Sequence, residues 1–132
     1  MAAMANITIK KADGTTDLVL TALAGSAGDG IPAKWRDETT ARPVGWRTVA
    51  SEISKPNTRD NARSHDLRFS FPVVRTVNGA DVLVGKIPFQ MTGTCGDQFT
   101  QAEIDEAVSQ AINFFSSTLV RTSVKSGYAP RS

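Results

Sequence analysis

Between Asp66 and Thr92 apolar and polar residues change places at almost every step, interrupted by a single Asn78–Gly79 dipeptide. No other feature of the chain limits its fold so tightly. Leu67, Phe69, Phe71 and Val73 fall on one face of an extended strand, with Asp66, Arg68, Ser70 and Pro72 on the other, because successive side chains of a strand point to opposite sides. Asn-Gly accepts the positive φ angles that a two-residue hairpin turn requires. Beyond it, Leu83, Ile87, Phe89 and Met91 take the apolar face, while Lys86, Pro88 and Gln90 take the other. The pattern predicts a long hairpin with one greasy face and one polar face carrying positive charge.

The upstream residues also read as β. Ile7 and Ile9 alternate with Thr8 and Lys10, Asp13–Gly14 marks a tight turn, and Leu18, Leu20 and Ala22 alternate on the return. This predicts an N-terminal hairpin over about residues 6–24, ended by the flexible run Gly25–Gly30. A short strand over Ala33–Asp37 carries Trp35, and the sheet is expected over about residues 32–94. Gly45–Ser54 reads as a further strand. One side of it presents Arg47, Val49, Ser51 and Ile53, the other Trp46, Thr48, Ala50 and Glu52. Neither set is cleanly apolar, so the buried side stays open. The polar stretch Lys55–Ser64, with Pro56–Asn57 and Asp60–Asn61, reads as a connecting loop. Gly93–Gly96 is expected to break the sheet.

A helical region over about residues 100–126 follows. Thr100 is the expected N-cap, with Glu103 three residues on completing a capping box and Phe99 and Ile104 placed for a hydrophobic staple. Ile104, Ala107, Val108, Ala111, Ile112, Phe115 and Leu119 recur at helical spacing, giving one apolar face. A second short helix is expected after Ser116–Ser117, ended by Gly127. Strands first and helices last predict an α+β domain. One helix about 10 Å wide covers two or three strands spaced about 4.8 Å apart, so much of the apolar face would stay exposed in a monomer. A homodimer, each copy's helices lying on the other's sheet, resolves this. Ile104, Val108, Ile112, Phe115 and Leu119 are the expected dimer-interface residues.

Composition removes several functions. The 132 residues are the size of one domain. Lys+Arg 15 against Asp+Glu 13 leaves a net charge of +2, so nucleic acid would have to be bound by charge gathered on one face. With one Cys and one His, neither a disulfide framework nor a structural zinc site has enough ligands. No phosphate-binding glycine loop is present, since Gly28–Asp29–Gly30 lacks the lysine and the strand-to-helix context. Glu103, Asp105 and Glu106 are explained by capping and the helix dipole rather than by a metal. No catalytic constellation, cofactor or small-molecule substrate is expected. Asn6, Lys10 and Lys11 arrive before a signal-peptide core could form, and no stretch approaches the roughly 20 apolar residues of a membrane span. Synthesis in the cytosol and no membrane partner are the expectations.

The chain resembles the coat proteins of single-stranded RNA bacteriophages, the levivirus-like family. The resemblance runs through the Gly-turned hairpin Ile7–Leu23, the Gly-rich link and the strand Ala33-Lys34-Trp35-Arg36. It continues in Arg68-Phe69-Ser70-Phe71-Pro72, in Lys86–Thr92, and in a C-terminal helix leading to Ser126-Gly127-Tyr128. The chain departs from the family's best-known members in a shorter connection around Asn78–Gly79 and a longer one over Lys55–Ser64. The resemblance implies a non-enzymatic structural protein that forms intertwined homodimers and then an icosahedral shell. It also implies that the inner sheet face binds a stem-loop of single-stranded viral RNA for packaging and translational repression. The expected location is the virion, with assembly in the cytoplasm of a bacterial host.

Arg68, Ser70, Lys86 and Gln90 project from the polar face by alternation, and Arg47, Ser51 and Lys55 join them as RNA-binding candidates by the same resemblance. Basic groups neutralise phosphates, while Ser and Gln can reach sugar or base edges. Thr48 and Glu52 would replace the Arg47, Ser51 and Lys55 set if the register were reversed. Trp35 and Trp46 fit core or interface positions better than base stacking, and Cys95 reads as an idle thiol more readily than as a crosslink. A cellular RNA-binding module with a β-sheet platform is the alternative. It would need aromatic side chains on the polar face, whereas Phe69, Phe71 and Phe89 fall on the opposite one.

Overall fold

The computed structural model describes residues 3–39, 41–57 and 62–131. Six strands form one sheet in sequence order: β1 (Ile7–Lys10), β2 (Asp17–Ala24), β3 (Ala33–Asp37), β4 (Val49–Asn57), β5 (Ala62–Val77) and β6 (Ala80–Gly96). Two helices follow, α1 (Gln101–Phe115) and α2 (Thr118–Ser126). This is the expected α+β order. The chain divides into two compact units, Met1–Thr94 and Cys95–Ser132.

Each neighbouring pair is antiparallel through β5, with Ile7 opposite Leu20, Leu20 opposite Asp37, Trp35 opposite Ala50 and Ser51 opposite Arg68. The N-terminal hairpin is thus the first third of the sheet itself. A register shift at Ala22/Ala24 lets β2 bend at its junction with β3. At the other end, Asn78 (φ 52) and Gly79 (φ 80) form the expected turn.

Three expectations are corrected. Gly93–Gly96 does not break the sheet: β6 runs through to Gly96. Gly93 and Gly96 do not adopt positive φ, and the β-branched Thr92 and Thr94 favour the strand. The strand expected at Gly45 begins only at Val49, because Val44–Trp46 closes a 3-10 turn in which the Trp46 N–H donates to the Pro43 carbonyl at 2.8 Å. The connection expected over Lys55–Ser64 is mostly ladder, with Lys55 opposite Ser64 and Pro56 opposite Arg63. Proline is tolerated there because β3 pairs with β4 only as far as Glu52, leaving Pro56 with a neighbour on one side. Asp60–Asn61 lie outside the described residues.

The helical unit follows its caps. The Thr100 hydroxyl accepts from the Glu103 N–H at 3.3 Å, and the Glu103 carboxylate accepts from the Thr100 N–H at 3.1 Å. Hydrogen bonds to that carboxylate, from the Thr100 N–H first and then from its hydroxyl, hold the Glu103 carboxyl below its ordinary range. Ser117 starts α2, and Gly127 ends it at φ 83.

Very little of the chain is buried. Among the described residues the buried ones are Leu20, Thr48, Ala62 and Pro72, and no residue of either helix is among them.

The β1–β2 turn is held by Asp13, whose carboxylate accepts from the Thr16 hydroxyl and from the N–H groups of Thr16 (2.8 Å) and Thr15 (2.9 Å). These bonds, the Thr16 hydroxyl foremost, lower its pKa from 3.8 to about 2. A depressed carboxylate stabilises the folded turn above the unfolded pKa and loses that contribution as pH falls through the folded one. A carboxyl-carbon NMR titration is therefore expected to show an Asp13 midpoint near 2. Asp13→Ala should remove the loosening of the hairpin over that acid range.

Candidate nucleic-acid interface

The ladder decides which side chains share a face. Ser70 lies opposite Val49, Arg68 opposite Ser51, Asp66 opposite Ile53 and Ser64 opposite Lys55. On the far side of β4, Lys34 lies opposite Ser51 and Arg36 opposite Val49. Cross-strand partners project to the same side, so Lys34, Arg36, Ser51, Lys55, Arg68 and Ser70 form one polar, basic surface. Gln90 joins it, since its amide donates to the Asp66 carboxylate at 3.0 Å. Lys86, four residues earlier on β6, follows by alternation. Six of the seven nucleic-acid candidates therefore come together: Ser51, Lys55, Arg68, Ser70, Lys86 and Gln90. The register left open for β4 falls to the Val49–Ser51–Ile53 side. Thr48, on the opposite side, is buried.

Arg47 is placed differently. It precedes β4, its guanidinium pairs with Glu38 at 2.6 Å, and its Nε donates to the Arg42 carbonyl at 3.0 Å. Glu38 also holds Arg36, at 2.5 Å. One carboxylate thus holds two guanidinium groups at the margin of the surface, and the trio keeps one net positive charge.

Asp66 organises the middle of it. One oxygen accepts from Gln90, and the other accepts from Arg68, at 3.1 Å from the terminal nitrogen and 3.2 Å from Nε. The carboxylate aims both donors while its own charge is compensated by Arg68. Its two partners, Arg68 and Gln90, line a concavity of about 680 Å³. Its rim combines cations (Lys34, Arg36, Arg68) with the apolar groups Leu23, Val44 and Pro88. Such a surface can hold an anion and a flat apolar ring side by side.

Lys34, Arg36 and Asp66 were not among the residues expected from the sequence. The signal for the first two was present in the alternation of Ala33–Asp37. Using it required knowing that Trp35 faces away from Arg68. The Trp35 indole N–H donates to the Ala5 carbonyl at 2.9 Å, and its residue pairs with Ala50. Trp46 sits half-buried in the 3-10 turn.

The opposite sheet face is apolar and open. Leu67, Phe71, Ile87, Phe89 and Met91 are 38–51% exposed. His65 and Glu52 stand 3.6 Å apart on that face. On the helices, Val108, Ile112, Phe115 and Leu119 are 45–65% exposed, while Ile104 is half-buried. Among the described residues no cluster of His, Cys, Asp and Glu is arranged to hold a metal ion, and no helix is long and apolar enough to cross a membrane.

A virus-like particle of Beihai levi-like virus 21 has a subunit that superposes on this chain with a TM-score of 0.83, covering 99% of this chain and 100% of that one at 15% identity. The fold is that of the single-stranded RNA bacteriophage coat proteins. The coat protein of bacteriophage EMS014 matches at a TM-score of 0.79 and 16% identity, covering 98% of this chain and 100% of that one. The bacteriophage GA capsid protein matches at 0.70 and 12% identity, covering 97% and 98%. No protein-family model and no curated protein matches the sequence. The coat fold is thus retained here with about one residue in seven in common.

The pairing at Glu38 gives a stability test. Arg47 is only 16% exposed and Glu38 32%, so removing the carboxylate leaves a largely enclosed guanidinium with the Arg42 carbonyl. Glu38→Gln is expected to cost about 1 kcal/mol in urea unfolding, and the cost shrinks as salt is added.

Proposed function

We propose that this chain is a capsid protein of a single-stranded RNA bacteriophage, a structural protein rather than an enzyme. Two copies form a homodimer in which the helices of each lie on the sheet of the other. Dimers assemble into an icosahedral shell with the basic sheet face inward, where it binds genomic RNA, including a stem-loop. The one observation that carries this reading is the pair of uncovered apolar surfaces on a chain with the coat fold. One is the sheet face of Phe71, Phe89 and Met91, the other the helical stripe of Ile112, Phe115 and Leu119. Surfaces of this kind mark association. The location that follows is the virion, after assembly in the host cytoplasm.

The dimer is tested at Ile112, which is 56% exposed in the single chain. A charge there is harmless in a monomer but is buried without a partner in the dimer. Ile112→Asp is expected to sediment as a folded monomer, while Ile112→Leu stays dimeric. A folded Ile112→Asp dimer contradicts the helix-on-sheet arrangement.

The RNA face is tested through salt. Arg68→Ala and Lys86→Ala should each weaken RNA binding and flatten the plot of log affinity against log salt, by about 0.7 to 1 for every phosphate that is no longer neutralised. Unchanged slopes in both variants remove this face as the RNA site. A cellular RNA-binding module is the less favoured alternative, because the aromatic side chains of β5 and β6 lie away from the basic face.

A further inference from the structure

We propose that Lys34, on β3, is a phosphate-contacting residue of the RNA face, and that its neighbour Arg36 on the same surface is not. The inference rests on the reading of that surface as the RNA site and extends it from three strands to four. Lys34, Ser51 and Arg68 stand directly opposite one another across β3, β4 and β5. At about 4.8 Å between strands the two cations lie roughly 10 Å apart at their backbones. Two or three stacked nucleotides, at about 3.4 Å each, span that separation. Lys34 and Arg68 also share the rim of the 680 Å³ concavity, so a chain following them passes its bases over Leu23, Val44 and Pro88.

Charge separates Lys34 from Arg36. The Lys34 side chain is exposed, and among the described residues none of the ion pairs engages it. Its ammonium is a point charge on a flexible stem, able to follow a phosphate without a fixed geometry. Arg36 is tied to Glu38 at 2.5 Å, and the same carboxylate holds Arg47. Moving Arg36 to a phosphate would break its bond to Glu38, so its guanidinium, little exposed, is already engaged within the protein. Arg68 differs from Arg36 in exposure: its side chain is 63% exposed despite the Asp66 contact, against 24% for Arg36.

The test uses the full chain and a short fluorescein-labelled oligo(A) strand, with binding followed over a salt series. Lys34→Gln is expected to reduce the slope of log affinity against log salt by about 0.7, the value for one phosphate neutralised on a single strand. Lys34→Arg should restore it, and Arg36→Gln should leave it unchanged. Urea unfolding identifies any variant that no longer folds, and the Arg substitution keeps the test open if Gln is not tolerated. A drop with Arg68→Ala but none with Lys34→Gln overturns the inference while leaving the RNA face in place. No drop with either overturns the RNA face itself. A drop with Arg36→Gln as large as that with Lys34→Gln overturns the distinction drawn from Glu38.

Discussion

The fold depends on apolar surface that the single chain leaves uncovered. The nine large side chains named on the open sheet face and the helical stripe, from Leu67 to Leu119, are 38–65% exposed, whereas the buried residues number four among those described. Completing the burial of half of each such side chain corresponds to on the order of 10 kcal/mol at about 2 kcal/mol apiece. Native domains are stable by only about 5–15 kcal/mol in total. A surface of that value is not incidental to such a protein. In the proposed dimer it would make association part of folding, and link the stability of the subunit to its concentration.

The two sides of the one sheet differ in chemistry. Alternation along β5 sends Leu67, Phe69 and Phe71 one way and Asp66, Arg68 and Ser70 the other, so the proposed association and RNA contact are divided between two surfaces only a strand's thickness apart. The polar side is not uniformly basic. Glu38 holds Arg36 and Arg47, which are little exposed, Asp66 holds Arg68, which is 63% exposed, and Lys34 and Lys86 are exposed as well. A net charge of +2 is enough for a surface organised in this way.

Much of this was legible in the sequence, for physical reasons that differ by element. The capping box of α1 and the end of α2 are local chemistry, and Thr100, Glu103 and Gly127 stand where their side chains and backbone angles require. The Asn78–Gly79 turn and the alternation of β5 are equally local. The start of β4 was not legible, because Gly45–Ser54 alternates without an apolar side and only pairing with β5 sets its limits. Pro56 looked like a turn residue, yet the ladder outside it prevailed. Arg47 follows the alternation of Val49 and Ser51 but is captured by Glu38, nine residues away in sequence and unrecognisable as its partner from spacing alone. Lys34 was hidden for the same reason: its face is defined by Ser51 and Arg68, two strands of pairing that no local pattern encodes.

The central claim is that a second copy covers the exposed apolar surfaces and that the resulting dimers close into a shell around RNA. Its most direct test is to express the chain alone in bacteria, image the soluble fraction by negative-stain electron microscopy, and read nucleic-acid and protein absorbance on the same fraction. The account predicts uniform round particles that carry host RNA. A soluble monomer, folded by circular dichroism and free of nucleic acid, would contradict it.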